Sequence, residues 1–159
     1  ITADRDEIIQ VIQNLVDNGI KYSTAGQSVE IKVRFGLGLE AAPGPRIDGL
    51  ARMSLLTPDR EAGMQYVCIT VRDLGPGMAR EHLPRLTERF YRVEGQKSGG
   101  ERPGTGLGLA IVKHIVNRHR GGLVVDSAPG LGSVFGIYLP MDSAKNSTAT
   151  AFVTADGTA

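Results

Sequence analysis

Gly104-Thr105-Gly106-Leu107-Gly108-Leu109 runs without a break into Ala110-Ile111-Val112-Lys113-His114-Ile115-Val116. Three glycines at alternate positions remove the Cβ atoms that would hold a ligand off the main chain, and they open φ values closed to other residues. The helix predicted over residues 109–120 then offers its first unpaired N–H groups to an anion. Such a stretch can hold phosphate with main chain alone. Its spacing is G-x-G-x-G, not the G-x-G-x-x-G of a dinucleotide fold, and the residues before it, Ser98-Gly99-Gly100-Glu101-Arg102-Pro103, are polar rather than a buried strand. A P-loop needs Gly-Lys-Ser/Thr, whereas Gly108 is followed by Leu109-Ala110. A glycine-rich hinge that merely starts a helix stands beside the phosphate reading until the rest of the chain is considered.

Upstream, residues 94–103 are charged, glycine-rich and aperiodic, which fits either a linker or a lid that closes over a ligand. Arg92, Lys97 and Arg102 lie in or beside it, within reach of a triphosphate. A short helical piece over residues 81–89 and the run Phe90-Tyr91-Arg92-Val93 precede it. Downstream, Gly121-Gly122 marks the helix end. Residues 123–126 and 133–139 read as two strands joined by Ala128-Pro129-Gly130-Leu131-Gly132, a hairpin. Residues 143–159, rich in Ser, Thr and Ala, are expected to be a disordered tail.

Residues 4–22 read as a helix capped by Asp4 or Asp6, with Ile8, Ile12, Leu15, Val16 and Gly19 along one side. Glu7, Asn14, Asn18 and Lys21 form a polar line beside that apolar stripe, at spacings of seven, four and three residues. Asparagines are unfavourable choices inside a helix. They offer neutral carbonyl oxygens to a hard cation such as Mg²⁺, and Lys21 offers a point charge to phosphate. Simple solvation of the face is the competing reading. Val29, Ile31, Val33 and Phe35 alternate with Glu30, Lys32 and Arg34, which predicts a strand with one wet face. Residues 36–63 lose this pattern and are expected to be a long, mobile loop with short order around residues 50–56. Strand character returns over residues 66–72, as a hairpin partner of the first strand, and ends in Asp73-Leu74-Gly75-Pro76-Gly77-Met78. An aspartate at a strand end, followed by turning glycines, puts a carboxylate at the rim of a sheet, where it could accept a hydrogen bond from an exocyclic amine such as that of adenine. An ordinary Asp-x-Gly turn fits the same residues.

The 159 residues suit one domain, and the net charge of +1 supplies no general attraction to nucleic acid or to an anionic membrane. Four Phe, four Tyr and no Trp leave the core to aliphatic residues. The single cysteine, Cys68, excludes an internal disulfide and a multi-cysteine metal site, and it reads as a small buried hydrophobe. No apolar stretch approaches the ~20 residues of a membrane span. The chain begins abruptly in helix-like sequence and is expected to be part of a larger protein.

Four motifs in fixed order, Asn14-x-x-x-Asn18-x-x-Lys21-Tyr22, Asp73-x-Gly75-x-Gly77, Phe90-Tyr91-Arg92 and Gly104-x-Gly106-x-Gly108-Leu109, closely resemble the N, G1, F and G2 boxes of the catalytic ATP-binding domain of sensor histidine kinases. Gly130-x-Gly132-Ser133-x-Phe135 resembles the last glycine box, and the similarity spans residues 4–140. The run 90–93 and the helix 111–119 look most like the phosphate-regulon type of sensor. The resemblance implies an α/β two-layer sandwich of the Bergerat (GHKL) kind: a mixed sheet covered on one face by helices, with ATP between the helices and a lid at 94–103. It implies a catalytic domain over residues 1–142. Asn18 would ligate Mg²⁺, Asn14 would hold the metal shell and phosphates, Lys21 would contact phosphate, and Tyr22 would lie near the base or ribose. Asp73 would read the adenine amino group, with Gly75 and Gly77 allowing close approach. Phe90 would anchor the lid, Arg92 or Arg102 would face the γ-phosphate, and Gly104, Gly106 and Gly108 would wrap the phosphate tail. Met78, Tyr91, Thr105, Leu107, Leu109 and Ser133, inside or beside these boxes, complete the implied nucleotide-binding set. Two departures stand out: Gly19 replaces the family's usual alanine, weakening the helix by about 1 kcal/mol, and the 36–63 connection is longer than usual.

Related gyrase- and chaperone-type ATPases carry a water-activating glutamate one helical turn before the metal-binding Asn. Here that place holds Asn14, an amide that cannot accept a proton near neutral pH. Slow hydrolysis is expected, leaving the γ-phosphate for another acceptor, which the resemblance implies is a histidine on a separate helical dimerisation domain and, through it, a response regulator receiver domain. No segment resembles the His-Glu-x-x-x-Pro acceptor box, and His82, His114 and His119 read as surface or packing residues. The parent is expected to be a membrane-anchored sensor with this part in the cytoplasm and no membrane contact by the fragment itself. A slow clamp ATPase, a protein-serine kinase of the same fold and a nucleotide-free interaction module are the rival readings.

Overall fold

The structure is a computed structural model that describes residues 1–94 and 104–142. Lys97, Arg102, most of the expected lid and the expected tail lie outside the described residues. Helix α1 spans Arg5–Tyr22. Of the two candidate caps the fold uses Asp4, whose Oδ1 accepts the N–H groups of Asp6 and Glu7 at 3.0 Å each, satisfying two of the donors a helix start leaves open. Val11, Leu15 and Gly19, each four residues apart, are the buried face.

Five strands form the sheet: β1 (Glu30–Leu37), β2 (Ala51–Leu56), β3 (Tyr66–Asp73), β4 (Gly122–Ser127) and β5 (Ser133–Pro140), in the order β1-β3-β5-β4-β2. Every neighbouring pair runs antiparallel, so the sheet is antiparallel rather than mixed. Helix α2 (Gly108–Arg118) lies beside α1 over one face, and a 3-10 segment (Arg80–Arg85) packs with them. The two-layer architecture is as expected. The main core lies between the layers, built from residues such as Val11, Leu15, Val67, Val71, Val112, Val116, Leu123 and Ile137.

The region expected to be a loop at residues 36–63 contains β2, which pairs with β4 as the far edge of the sheet. Residues beyond β1 also fold back over the opposite sheet face, where Ala42, Tyr66, Cys68 and Tyr138 form a second, smaller core. Arg52 of β2 holds both features. Its guanidinium donates to Asp126 of β4 at 2.6 and 2.7 Å and to the carbonyls of Gly44 and Pro45 at 2.8 and 3.0 Å. The hairpin of β1 with β3 forms as expected, pairing Ile31 with Val71 and Val33 with Ile69. The expectation of one wet face fails, because β1 is an edge strand: Ile31, Val33 and Phe35 are 47, 45 and 50% exposed. At the end of α2, Arg120 and not a glycine takes the left-handed position (φ 55), while a Cβ on Gly122 would enter the Tyr138 ring.

Alternation along β3 sets up the site. Val67, Val71 and Asp73 share the helix-facing side with period two. The first two are core, and the third, one step past the sheet's last covered row, is a carboxylate at the edge of the gap between α1 and the start of α2.

Candidate functional site

A cleft of about 360 Å³ opens between α1, the turn after β3, residues 91–93 and the glycine-rich run leading into α2. Asn14, Asn18, Lys21 and Tyr22 reach it from α1, and Asp73, Gly77 and Met78 from the turn after β3. Tyr91 and Arg92 come from the segment after the 3-10 piece, Gly104, Thr105, Gly106, Gly108 and Leu109 from the glycine-rich run, and Ser133 from β5. Segments more than a hundred residues apart in sequence thus meet in one cavity. Gly75 and Leu107 are not among its lining residues. Asp17, Pro76, Leu86, Val93 and Phe135 also line it, although the sequence assigned none of them a binding role.

One end of the cleft is a buried carboxylate. Asp73 is 6% exposed, and its Oδ1 accepts the Gly75 N–H at 2.9 Å. Burial pushes its pKa above the ordinary carboxylate value, and the N–H groups of Gly75 and Ser133 partly offset this. Two N–H donors leave lone pairs free on a carboxylate, so the group can still accept from a ligand. The turn around it is set by close packing. Gly77 (φ 64) faces the Ala128 carbonyl where a Cβ would stand, and Gly75 faces the Tyr22 carbonyl in the same way. The room these glycines leave is taken by protein, which locks the turn to α1 and to the β4–β5 hairpin. Ser127 makes the same joint: its Oγ accepts the Met78 N–H, donates to the Gly132 carbonyl and meets Ser133 Oγ, all at 2.9 Å. Its only sequence signal is a hydroxyl at an inward-facing strand end.

The other end is cationic and amide-lined. The Lys21 ammonium lies where a Cβ on residue 104 would be, so the lysine tip comes close to the first glycine of the run. Partial burial, and secondarily the Arg92 guanidinium, hold the Lys21 pKa below the usual lysine value. Two cations facing one cavity call for an anion. Asn14 Nδ2 is buried without a partner among the described residues, and an unmet donor in a polar cleft marks a place for a ligand oxygen. No cluster of three His, Cys, Asp or Glu side chains capable of holding a metal occurs among the described residues. The amide oxygens of Asn14 and Asn18 instead fit the habit of Mg²⁺, which takes one or two protein oxygens and completes its shell with phosphate and water.

The wall between the two ends includes Tyr91, whose hydroxyl lies 2.6 Å from His82 Nδ1 and whose ring is covered by Arg85 at 4.3 Å. His119 accepts the Asp4 N–H with Nε2 at 3.1 Å and so ties α2 to the start of α1, and His114 is exposed. These are the packing and surface roles expected of the histidines. Phe90 has an exposed ring, and its N–H donates to the Gly106 carbonyl at 2.9 Å; the lid it is expected to anchor lies outside the described residues.

Residues 3–143 match the family described as Histidine kinase-, DNA gyrase B-, and HSP90-like ATPase. The chain is 38% identical over 129 residues to the phosphate regulon sensor protein PhoR of Pseudomonas aeruginosa, covering 81% of this chain and 23% of that protein. It is 35% identical over 140 residues to the sensor histidine kinase RppB of Synechocystis, covering 88% and 25%. The chain therefore spans about a quarter of the length of these relatives. Among solved structures, the mycobacterial sensor histidine kinase MprB superposes with a TM-score of 0.59 at 27% identity over 87% of this chain and 72% of that one. Full-length ShkA in complex with AMPPNP superposes with a TM-score of 0.54 at 26% identity, over 87% of this chain and 22% of that one. No helix among the described residues is long and apolar enough to cross a membrane.

Proposed function

The chain belongs to the histidine kinase-, DNA gyrase B- and HSP90-like ATPase family, and from that premise we propose that it is the ATP-binding catalytic domain of a sensor histidine kinase, passing the γ-phosphate of ATP to a histidine on a separate helical dimerisation domain. The observation that carries the reading is the joining, in one cleft, of the buried Asp73 carboxylate at one end to Asn14, Asn18, Lys21 and Arg92 at the other. The kinship with PhoR and RppB supports the kinase assignment, and the AMPPNP complex of ShkA supports the ligand.

The exocyclic amine of adenine donates to Asp73, with Met78, Tyr22 and Ser133 around the base and ribose. The triphosphate extends toward Lys21 and Arg92, whose charges neutralise it, and the glycine run supplies backbone N–H groups. Asn18, helped by Asn14, would hold Mg²⁺, which when bound shares the phosphate charge. Arg102, outside the described residues, is a second candidate for the γ-phosphate. In the transfer an imidazole nitrogen of the acceptor bonds to the γ-phosphorus, the bond from that phosphorus to the bridging oxygen breaks, ADP leaves with the electron pair, and the imidazole gives up its other proton to solvent. Such a step asks for positioning and charge rather than covalent help. Asn14 cannot take a proton from water, so hydrolysis competes weakly. In the parent protein the phosphoryl group then passes to a receiver-domain aspartate, with this domain on the cytoplasmic side of an anchored sensor.

Calorimetric titration with AMPPNP, with and without Mg²⁺, followed by transfer of labelled γ-phosphate to an added histidine-bearing dimerisation domain, tests this. Binding with acid-stable phosphoserine instead of acid-labile phosphohistidine would point to the serine-kinase reading, and rapid turnover without acceptor to a clamp ATPase.

A further inference from the structure

A second cavity, of about 320 Å³, lies between residues 47–50 of the long connection, the end of β3 and the tip of the β4–β5 hairpin. Strand alternation turns Arg72 away from Val71 and Asp73, so this cavity is on the sheet face opposite the nucleotide cleft. Ile47, Leu50, Leu74 and Leu131 give it an apolar lining, and Asp48 and Arg72 bring one charge of each sign. Leu74 and Leu131 are 46 and 51% exposed. Single exposed leucines are ordinary; here four branched aliphatics converge with two charges in one concavity. No ion pair joins Asp48 to Arg72, and neither side chain has a hydrogen bond or ion pair with any described residue, although Arg72 is half-buried. Opposite charges that face one cavity without pairing suit a ligand that carries both signs and an apolar group.

Cavity and cleft share a backbone. Arg72 and Leu74 flank Asp73, whose carboxylate lies in the cleft. The Gly130 N–H donates to the Pro76 carbonyl at 2.7 Å, and a Cβ on Gly132 would collide with the Asp73 carbonyl. A Cβ on Gly49 would stand 3.3 Å from Leu131 Cδ1, so the long connection rests on the same hairpin tip. Whatever fixes the tip against residues 47–50 also fixes the turn that carries Asp73.

We propose that this cavity is a regulatory site for a free apolar α-amino acid of about leucine size. Its carboxylate meets Arg72, its ammonium meets Asp48, and its side chain enters among Ile47, Leu50, Leu74 and Leu131. The volume is at the lower end of small-molecule sites, roughly 300–1,000 Å³, which favours a metabolite of this size over a folded segment. Occupation of the cavity tightens nucleotide binding, because two ligands that favour the same arrangement of one turn raise each other's affinity by the same factor. This coupling rests on the nucleotide reading above; the amino-acid site does not.

Calorimetric titration of the chain with L-leucine, alone and at saturating AMPPNP with Mg²⁺, tests both halves. Leucine is expected to bind the wild type. N-acetyl-leucine, leucinamide and glycine, which lack the ammonium, the carboxylate and the side chain in turn, are each expected to bind weaker by roughly threefold or more. Arg72→Gln should lose roughly tenfold in leucine affinity, and Asp48→Asn, at an exposed position, roughly threefold. Both variants should keep the wild-type melting temperature and, without leucine, an AMPPNP affinity within about twofold of wild type. Saturating leucine should raise wild-type AMPPNP affinity roughly threefold or more and leave that of Arg72→Gln unchanged. No leucine binding to the wild type at millimolar concentration would overturn the site, as would variants or analogues that bind as well as the wild-type pair. Leucine binding that leaves AMPPNP affinity unchanged would overturn the coupling. A wild type that takes up leucine but no AMPPNP would sink the nucleotide reading and leave the amino-acid site standing, an outcome separate from the others.

Discussion

At Asp73 a nearly buried carboxylate is held by two N–H groups at the edge of an open cleft, and its raised pKa links folding to ligand binding in opposite directions. A carboxyl whose folded pKa exceeds its ordinary value of 3.8 contributes stability that is complete below that value and lost as pH rises through the folded pKa. Ionised Asp73 therefore works against the ligand-free fold near neutral pH. We expect Asp73→Asn to raise the ligand-free melting temperature near pH 7 and to lose that advantage in acid, as read by calorimetric scans across pH. An adenine amine donates to the ionised form, so wild-type AMPPNP affinity should rise with pH through the same pKa. Asp73→Asn should weaken binding roughly tenfold or more, about 1.4 kcal/mol. Asn18→Ala tests the metal assignment: the Mg²⁺-dependent part of AMPPNP affinity disappears, and affinity in excess chelator stays near wild type. These side chains were legible in the sequence because helix spacing and strand ends are local properties. Ser127 and Asp17 were not, since a lone serine and one more acid on a wet helix face carry no pattern.

Elements show where local reading stops. The turn after β3 was recognisable from its glycines, but what fills the space beside Gly77 is the Ala128 carbonyl of a hairpin fifty residues on. Gly77→Ala should therefore cost about 2 kcal/mol or more in stability, seen as a melting temperature several degrees lower, and should weaken AMPPNP binding by displacing Met78. β2 escaped reading as a defined strand because six residues in Gly-, Pro- and Ala-rich surroundings show no alternation, and a register shift between Ser54 and Leu56 breaks what pattern there is. Its place depends on pairing with β4 and on the Arg52–Asp126 ion pair, whose side chains are 13 and 4% exposed. Breaking one side of such a pair leaves a buried charge alone, so Asp126→Ala should cost about 3–5 kcal/mol, measured by denaturant unfolding. AMPPNP affinity should persist at denaturant concentrations where the fold survives, because the pair lies on the sheet face away from the cleft.

For the whole molecule, one antiparallel sheet with its helices on one side leaves a cleft lined by residues from near both ends of the described chain. Incubated alone with ATP and Mg²⁺, the chain should bind and release nucleotide with turnover far slower than transfer once a histidine-bearing domain is added, as measured by phosphate release beside label incorporation. The sequence alone determined the chemistry on offer: backbone turns for phosphate, an amide-bearing helix edge for a metal and a rim carboxylate for an amine, because each is written within one turn or one strand end. Only the tertiary structure decided what the glycines make room for, where β2 lies, that β1 meets solvent on both faces, and that the Phe90 ring stands outside. Those depend on which distant segments pack together, and neither helical nor strand periodicity carries that information.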